Sequence, residues 1–139
     1  MEKLRFPLFL FALAAGAVLA SSCGSSTAIS GLIRQPQSIT LSPATADAQN
    51  YPNGQVQFIV TAHYNTAPDT ITPASATWGA CYQNAPSTAV SVSNEGLAQC
   101  ANGASGRYTI FAFDMTNCNV ITACGGGCTV VGTAQLTCP

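Results

Sequence analysis

Apolar and polar residues alternate most regularly along residues 55–64. The apolar positions of one face are Val56, Phe58, Val60, Ala62 and Tyr64. The other face carries Gln55, Gln57, Thr61 and His63, with Ile59 as its single apolar member. Because successive side chains of a strand point to opposite sides of a sheet, this pattern predicts a β-strand with one face in a core and the other in water.

Shorter runs of the same kind recur along the chain, separated by clusters of Gly, Pro, Asn and Ser. The other predicted strands are residues 38–42, 76–81, 89–93, 97–100, 107–113 and 129–138. Beyond the N-terminal segment, no window places apolar residues at helical spacing without Pro or Gly. The pattern predicts an all-β fold, an Ig-like antiparallel β-sandwich of about seven strands.

The first residues have the composition of an export signal. Lys3 and Arg5 precede an almost unbroken apolar run over residues 6–19, which is too short for a membrane span. Cleavage after Ala20 would give a secreted protein, whereas cleavage before Cys23 would give a lipoprotein, because residues 19–23 resemble a bacterial lipobox. We expect a signal peptide over residues 1–22, lipid on Cys23, a flexible Ser-, Gly- and Thr-rich tether over residues 23–37 and the domain over residues 38–139.

The chain has seven cysteines, and lipid on Cys23 leaves an even set that can form disulfides in an oxidising compartment. The disulfide candidates are Cys81, Cys100, Cys118, Cys124, Cys128 and Cys138. If the strands alternate in direction, one end of the sandwich carries Cys81, Cys100 and Cys138. The opposite end then carries Cys118, Cys124 and Cys128. Either a strand end lies elsewhere, or the long loop carries a cysteine along a sheet face, or some thiols stay free. Cys81–Cys100 is the favoured single bridge, and Cys118–Cys128 would close the base of the loop.

Nothing in the remaining composition indicates catalysis or a metal. The three cysteines of the loop lack the paired short spacing of zinc sites, so we expect no metal and no cofactor. His63 is the only histidine, it falls on the wet strand face, and no G-x-S-x-G motif accompanies it. We therefore expect no catalytic residue and no enzyme; a small hydrolase using His63 is the alternative.

Charge is sparse after Cys23. The basic residues are Arg34 and Arg107, and the acidic residues are Asp47, Asp69, Glu95 and Asp114. Nucleic-acid binding and polybasic attachment to a membrane both need clustered Lys and Arg. We therefore expect no nucleic-acid partner and no electrostatic attachment to a membrane surface. Any membrane attachment would be through the lipid anchor alone.

Phe111 and Phe113 are the candidate binding surface. If Tyr108, Ile110 and Ala112 point into the core, these two rings point out of the same strand. They would then form an exposed aromatic face for a protein or a glycan. The alternative is that a flanking strand or the cysteine-rich loop covers them.

Several segments resemble the bacterial Ig-like domain of group 2. They are the strand Ala76-Thr77-Trp78, the hairpin over residues 90–97 and the motif Gly106-x-Tyr108-x-Ile110-x-Ala112. The resemblance implies a seven-stranded sandwich used in surface and adhesion proteins, with no catalytic residues. Family members are generally poor in cysteine and commonly occur in arrays, so the cysteines and the single domain of this chain depart from the pattern.

These observations together predict a non-catalytic module of the bacterial cell envelope. It would be exported, lipid-anchored or secreted, and stapled by disulfides. Its role would be binding, adhesion or structural support, with a protein or a glycan at the cell surface as partner. A purely structural secreted domain without a ligand is the alternative.

Overall fold

The computed structural model describes residues 34–118, 124 and 126–139. The expected signal peptide, Cys23 and most of the expected tether lie outside the described residues, as does part of the cysteine-rich loop. The described chain is built almost entirely of strands joined by turns. Three short 3₁₀ turns, Ala48–Asn50, Pro52–Gly54 and Met115–Asn117, are its helical elements. The prediction of an all-β fold is confirmed.

The strands follow the alternating runs of the sequence. They are β1 (Pro36–Ser42), β2 (Thr45–Asp47), β3 (Gln55–Gln57), β4 (Ile59–Tyr64), β5 (Thr70–Ile71), β6 (Thr77–Tyr82), β7 (Ala85–Pro86), β8 (Val90–Val92), β9 (Leu97–Cys100), β10 (Gly106–Phe113) and β11 (Val131–Cys138). Only Phe58 separates β3 from β4, so these two segments are the single strand that the sequence predicts, interrupted once. The seven predicted strands are all present, and β2, β5 and β7 are short additions to them.

The strands form two layers. One layer is a five-stranded sheet in the order β2-β11-β10-β6-β7, in which β2 is parallel to β11 and the other pairs are antiparallel. The other layer comprises two three-stranded sheets, β1-β4-β5 and β3-β9-β8, which share the interrupted strand β3–β4. The architecture is an Ig-like sandwich.

The core fills the space between the layers, as the alternation predicts. Its largest fully buried side chains are Phe58, Ile110, Leu136, Val56 and Val60. Burial of this apolar surface is the main favourable term in folding, roughly 25 cal/mol per Å². Tyr108 is also buried, and its hydroxyl donates a hydrogen bond to the carbonyl of Ser105 at 3.3 Å. A tyrosine bonded to the backbone a few residues upstream is a recurring feature of Ig-type sandwiches.

Two loops and one turn gather at one end of the sandwich, where β4 and β10 end and β6 and β11 begin. We call this end the loop pole. It carries the loop over residues 65–76, the loop over residues 114–130 and, beside them, the hairpin turn over residues 93–96. The opposite pole carries the ends of β9 and β11, and there the Cys100–Cys138 disulfide joins the two layers.

The chain is held to the loop pole before β1 begins. The Arg34 guanidinium lies 3.9 Å from the centre of the Tyr64 ring and donates to the carbonyl of Pro68. Gln35 exchanges two hydrogen bonds with Asn65, at 2.9 and 3.1 Å. β1 itself starts at Pro36, two residues before the start that the sequence predicts for the domain. The reason is that pairing with the end of β4 orders these residues.

Candidate functional site

Three disulfides staple the sandwich, and all six candidate cysteines take part in them. The bonds join Cys81 to Cys124, Cys100 to Cys138 and Cys118 to Cys128. The expected Cys118–Cys128 bridge is present and closes the base of the loop over residues 114–130. The expected Cys81–Cys100 bridge is absent, because Cys100 meets the end of β11 instead. The loop carries Cys124 along the outer face of the five-stranded sheet to Cys81, which is one of the alternatives the sequence left open.

The loop covers the aromatic pair of β10. Phe111 is 8 % exposed and Phe113 is 2 % exposed, and their rings lie 6.0 Å apart in a stacked arrangement. The two rings and Cys81 form a small second core against which Cys118, Cys124, Cys128 and Val131 pack. Gly79 lies opposite Phe111 in the neighbouring strand, and a Cβ there would come within 2.2 Å of the ring. The interpretation of Phe111 and Phe113 as an exposed binding surface is therefore wrong.

His63 lies on the outer face of β4, as the alternation predicts. It is exposed, and its Nδ1 lies 3.1 Å from the Thr70 hydroxyl of β5. The same face carries a second hydroxyl pair, Thr61 and Thr72, at 2.7 Å. Within the hydrogen bonds and ion pairs of the described chain, no carboxylate accompanies the imidazole.

A cleft opens at the loop pole where the two layers meet. Its first lobe has a volume of about 250 Å³ and lies between β4, the end of the loop over residues 65–76 and the hairpin turn. Its walls include Ile59, Pro73, Trp78, Asn94 and Glu95. Ile59 is 42 % exposed, so the one apolar residue on the wet face of its strand borders this lobe.

Gly96 follows Glu95 in the hairpin turn and packs that turn against Trp78, which lines this lobe. Its φ of +85° belongs to the left-handed region, and a Cβ there would lie 2.4 Å from the carbonyl oxygen of Phe58 and 2.6 Å from Cζ2 of Trp78. The turn therefore packs directly on the indole only because residue 96 has no side chain. Gln57 reinforces the turn by donating from Nε2 to the Glu95 carbonyl at 2.6 Å.

The second lobe also measures about 250 Å³ and adjoins the first through Ser75, which lines both. It lies between residues 75–77 and the segment Phe113, Asp114 and Met115. Met115 is 55 % exposed, the most exposed large hydrophobic side chain of the described residues. The Asp114 carboxylate fixes the local 3₁₀ turn by accepting from the Thr116 backbone N–H at 2.9 Å and from its hydroxyl at 2.8 Å.

The charges of the described chain divide between the poles. Asp69, Glu95 and Asp114 belong to the two loops and the turn of the loop pole, whereas Asp47 lies at the opposite pole and lines a polar groove with Arg107. Arg34 is the one basic residue at the loop pole, and it is engaged with Tyr64 and Pro68. The cleft therefore combines exposed apolar side chains with unneutralised carboxylates.

In the part of the chain that the structure describes, no group of three His, Cys, Asp or Glu side chains could hold a metal ion. No helix among the described residues is long and apolar enough to cross a membrane. The three disulfides indicate an oxidising, extracellular environment.

The fold and its staples define a disulfide-rich, Ig-like β-sandwich with a cleft at its loop pole. No protein-family model matches the chain, and no curated protein matches it either.

Proposed function

We propose that this protein is an exported, non-catalytic Ig-like module of the bacterial cell envelope that binds a partner at the loop-pole cleft. The main support for this proposal is the cleft. Ile59 in its first lobe and Met115 in its second lobe are both exposed, and Ser75 lines both lobes. Apolar side chains that are exposed together beside a concavity are typical of interaction sites.

The rigidity of the pole supports the same proposal. Two of the three disulfides, Cys81–Cys124 and Cys118–Cys128, hold the loop that supplies the second lobe. Positions restrained by such bonds lose less conformational entropy on binding, so contacts near them contribute more fully to affinity. The resemblance to group 2 bacterial Ig-like domains agrees with a surface or adhesion role.

We propose lipid attachment at Cys23 as the means of anchoring. The apolar N-terminal run, the lipobox-like residues 19–23 and the odd cysteine count support it. Mass spectrometry of the mature protein, with and without reduction, tests this. We expect a diacylglyceryl-modified Cys23 and three bridges; a mature chain that starts at Ser21 with an unmodified Cys23 would establish the secreted form.

Binding is tested by retention of the purified domain on isolated cell envelopes. We expect Ile59→Asp to reduce retention at least tenfold, because it places a charge in the apolar lobe without touching the core. Tyr51→Ser, which changes a side chain 36 % exposed near the opposite pole, is the matched control and should be retained normally. Equal retention of all three proteins would favour the purely structural alternative.

The hydrolase alternative depends on His63. Its contact with the Thr70 hydroxyl is explained by cross-strand pairing, since the two residues are register partners in β4 and β5. We expect His63→Ala to leave envelope retention unchanged. A hydrolytic activity of the wild-type domain that His63→Ala abolishes would contradict the non-catalytic proposal.

A further inference from the structure

We infer that the loop-pole cleft takes a lysine or arginine side chain from an extended, otherwise apolar segment of a partner protein. This deepens the proposed function and rests on it. The inference follows from three properties of the cleft: the charge at each lobe, the apolar walls and the lack of a competing cation.

Each lobe is lined in part by one acidic residue. Glu95 lines the first lobe and Asp114 lines the second. The side chain of Glu95 has no hydrogen bond or ion pair within the described residues, and the Glu95 backbone is fixed by Ser93 and Gln57. A fixed backbone holds the free carboxylate beside the concavity, where it attracts a cation.

No arginine of the described chain neutralises these groups. Arg107 lies at the opposite pole, and the Arg34 guanidinium is held over the Tyr64 ring. Lysine is absent after residue 3. The cation that the cleft attracts must therefore come from another molecule.

The walls suit the stem and the neighbours of a basic side chain. Lys and Arg bury their methylene stems along apolar surface while the charged head stays near water or a carboxylate. Pro73 and Trp78 offer such a surface in the first lobe, and Met115 offers one in the second. Ser75 lines both lobes, so an extended segment laid across it would contact both. A neutral glycan would use the carboxylates only as hydrogen-bond acceptors, whereas a basic side chain would also gain the attraction between opposite charges, so the charge of the cleft favours a polypeptide.

The test is an NMR titration of the full domain with three acetylated and amidated pentapeptides. The central residue is Lys, Gln or Glu, it is flanked on each side by Leu, and the three peptides are otherwise identical. We expect the Lys peptide to shift the Trp78 indole N–H and the Glu95 amide, with an affinity that weakens as salt is added. The Glu peptide should bind at least tenfold more weakly, because it meets two like charges.

Variants that remove one negative charge distinguish charge-dependent binding at the cleft from nonspecific binding of the peptides. Glu95→Gln should weaken the Lys peptide about fivefold, the upper range for a single exposed ion pair, and should reduce the difference between the Lys and Gln peptides, because only Asp114 then remains. Asp47→Asn at the opposite pole is the matched control and should change nothing. Equal binding of the three peptides, or an unaltered affinity of Glu95→Gln, would overturn the inference.

The two proposals fail in different ways. If none of the peptides shifts these resonances while Ile59→Asp still releases the domain from cell envelopes, the site is real and its ligand is not a basic segment. If a neutral oligosaccharide such as maltoheptaose shifts the same resonances and the Lys peptide does not, the ligand class is glycan. If Ile59→Asp changes nothing but the Lys peptide binds with the stated charge dependence, the cleft takes a basic side chain and the proposed binding to the cell envelope is wrong.

Discussion

The Cys81–Cys124 disulfide is the most informative bond to remove. Replacing both cysteines by Ala leaves no free thiol to mispair and keeps the two other bridges. The bond joins positions separated by 43 residues and fixes the loop over the aromatic pair of β10. Its loss should therefore affect both the free energy of unfolding and the covering of those rings.

The size of the effect follows from the entropy of closing a loop in the unfolded chain. For a separation of 43 residues the chain-entropy relation gives about 4 kcal/mol at 25 °C. The Cys118–Cys128 bridge spans only 10 residues, and the same relation gives about 3 kcal/mol. Because the whole stability of a domain is about 5–15 kcal/mol, either loss is large, and the first should exceed the second.

Urea unfolding under non-reducing conditions measures the loss. With a slope of about 2 kcal/mol per molar urea, the Cys81→Ala/Cys124→Ala variant should unfold at a concentration about 2 M lower than the wild type. The dye ANS should bind the native variant more strongly, since Phe111 and Phe113 lose their cover. The Cys118→Ala/Cys128→Ala variant is the comparison, with its smaller expected shift. A loss below about 1 kcal/mol without added ANS binding would refute the reasoning, because it would mean that this bond neither restrains the unfolded chain nor holds the cover.

Three further predictions concern the packing. Gly96→Ala should cost about 2–4 kcal/mol in urea unfolding, because the added Cβ meets a carbonyl and the indole; Gly54→Ala also has a positive φ but open space, and should cost only about 1 kcal/mol. Tyr108→Phe should cost about 1 kcal/mol through loss of the hydrogen bond to Ser105, and an unchanged midpoint would show that the bond does not contribute. Phe113→Ala should cost about 3–5 kcal/mol, and a neutral result would show that this ring is not buried in solution.

The sequence pattern predicts the inner faces of the sandwich well. Val56, Phe58 and Val60 are buried where the alternation places them, because a strand with one face in a core must repeat every two residues. The same rule sends Ile59 and His63 outward, and both are exposed. The inward or outward direction of side chains in such a strand needs no information beyond the local sequence.

The alternation of apolar and polar residues does not predict which segment covers the outer face of a sheet. Phe111 and Phe113 point outward from β10 as expected, but a loop that follows them in the chain returns over them. The path of that loop decides the cysteine pairing, so Cys81 meets Cys124 and not Cys100. Spacing along the chain cannot reveal the path, because it depends on which surface the loop packs against.

The cleft could not be predicted from the sequence, because it too depends on how distant segments pack together. Its walls come from β4, from two loops and from the hairpin turn, which are far apart in the chain. One signal was present: Ile59 breaks an otherwise polar face, and an outward apolar residue in a regular strand indicates a contact. Met115 gives no comparable signal, since it lies in a loop without periodicity.

The contact between the Arg34 guanidinium and the Tyr64 ring determines at which end the N-terminal segment joins the domain. It fixes the incoming chain at the same end as the cleft, whereas Pro139 lies at the far end beside Cys138. From Cys23 to Arg34 the chain can reach roughly 40 Å when fully extended. In a lipidated molecule the tether would therefore join the domain at the end that carries the cleft.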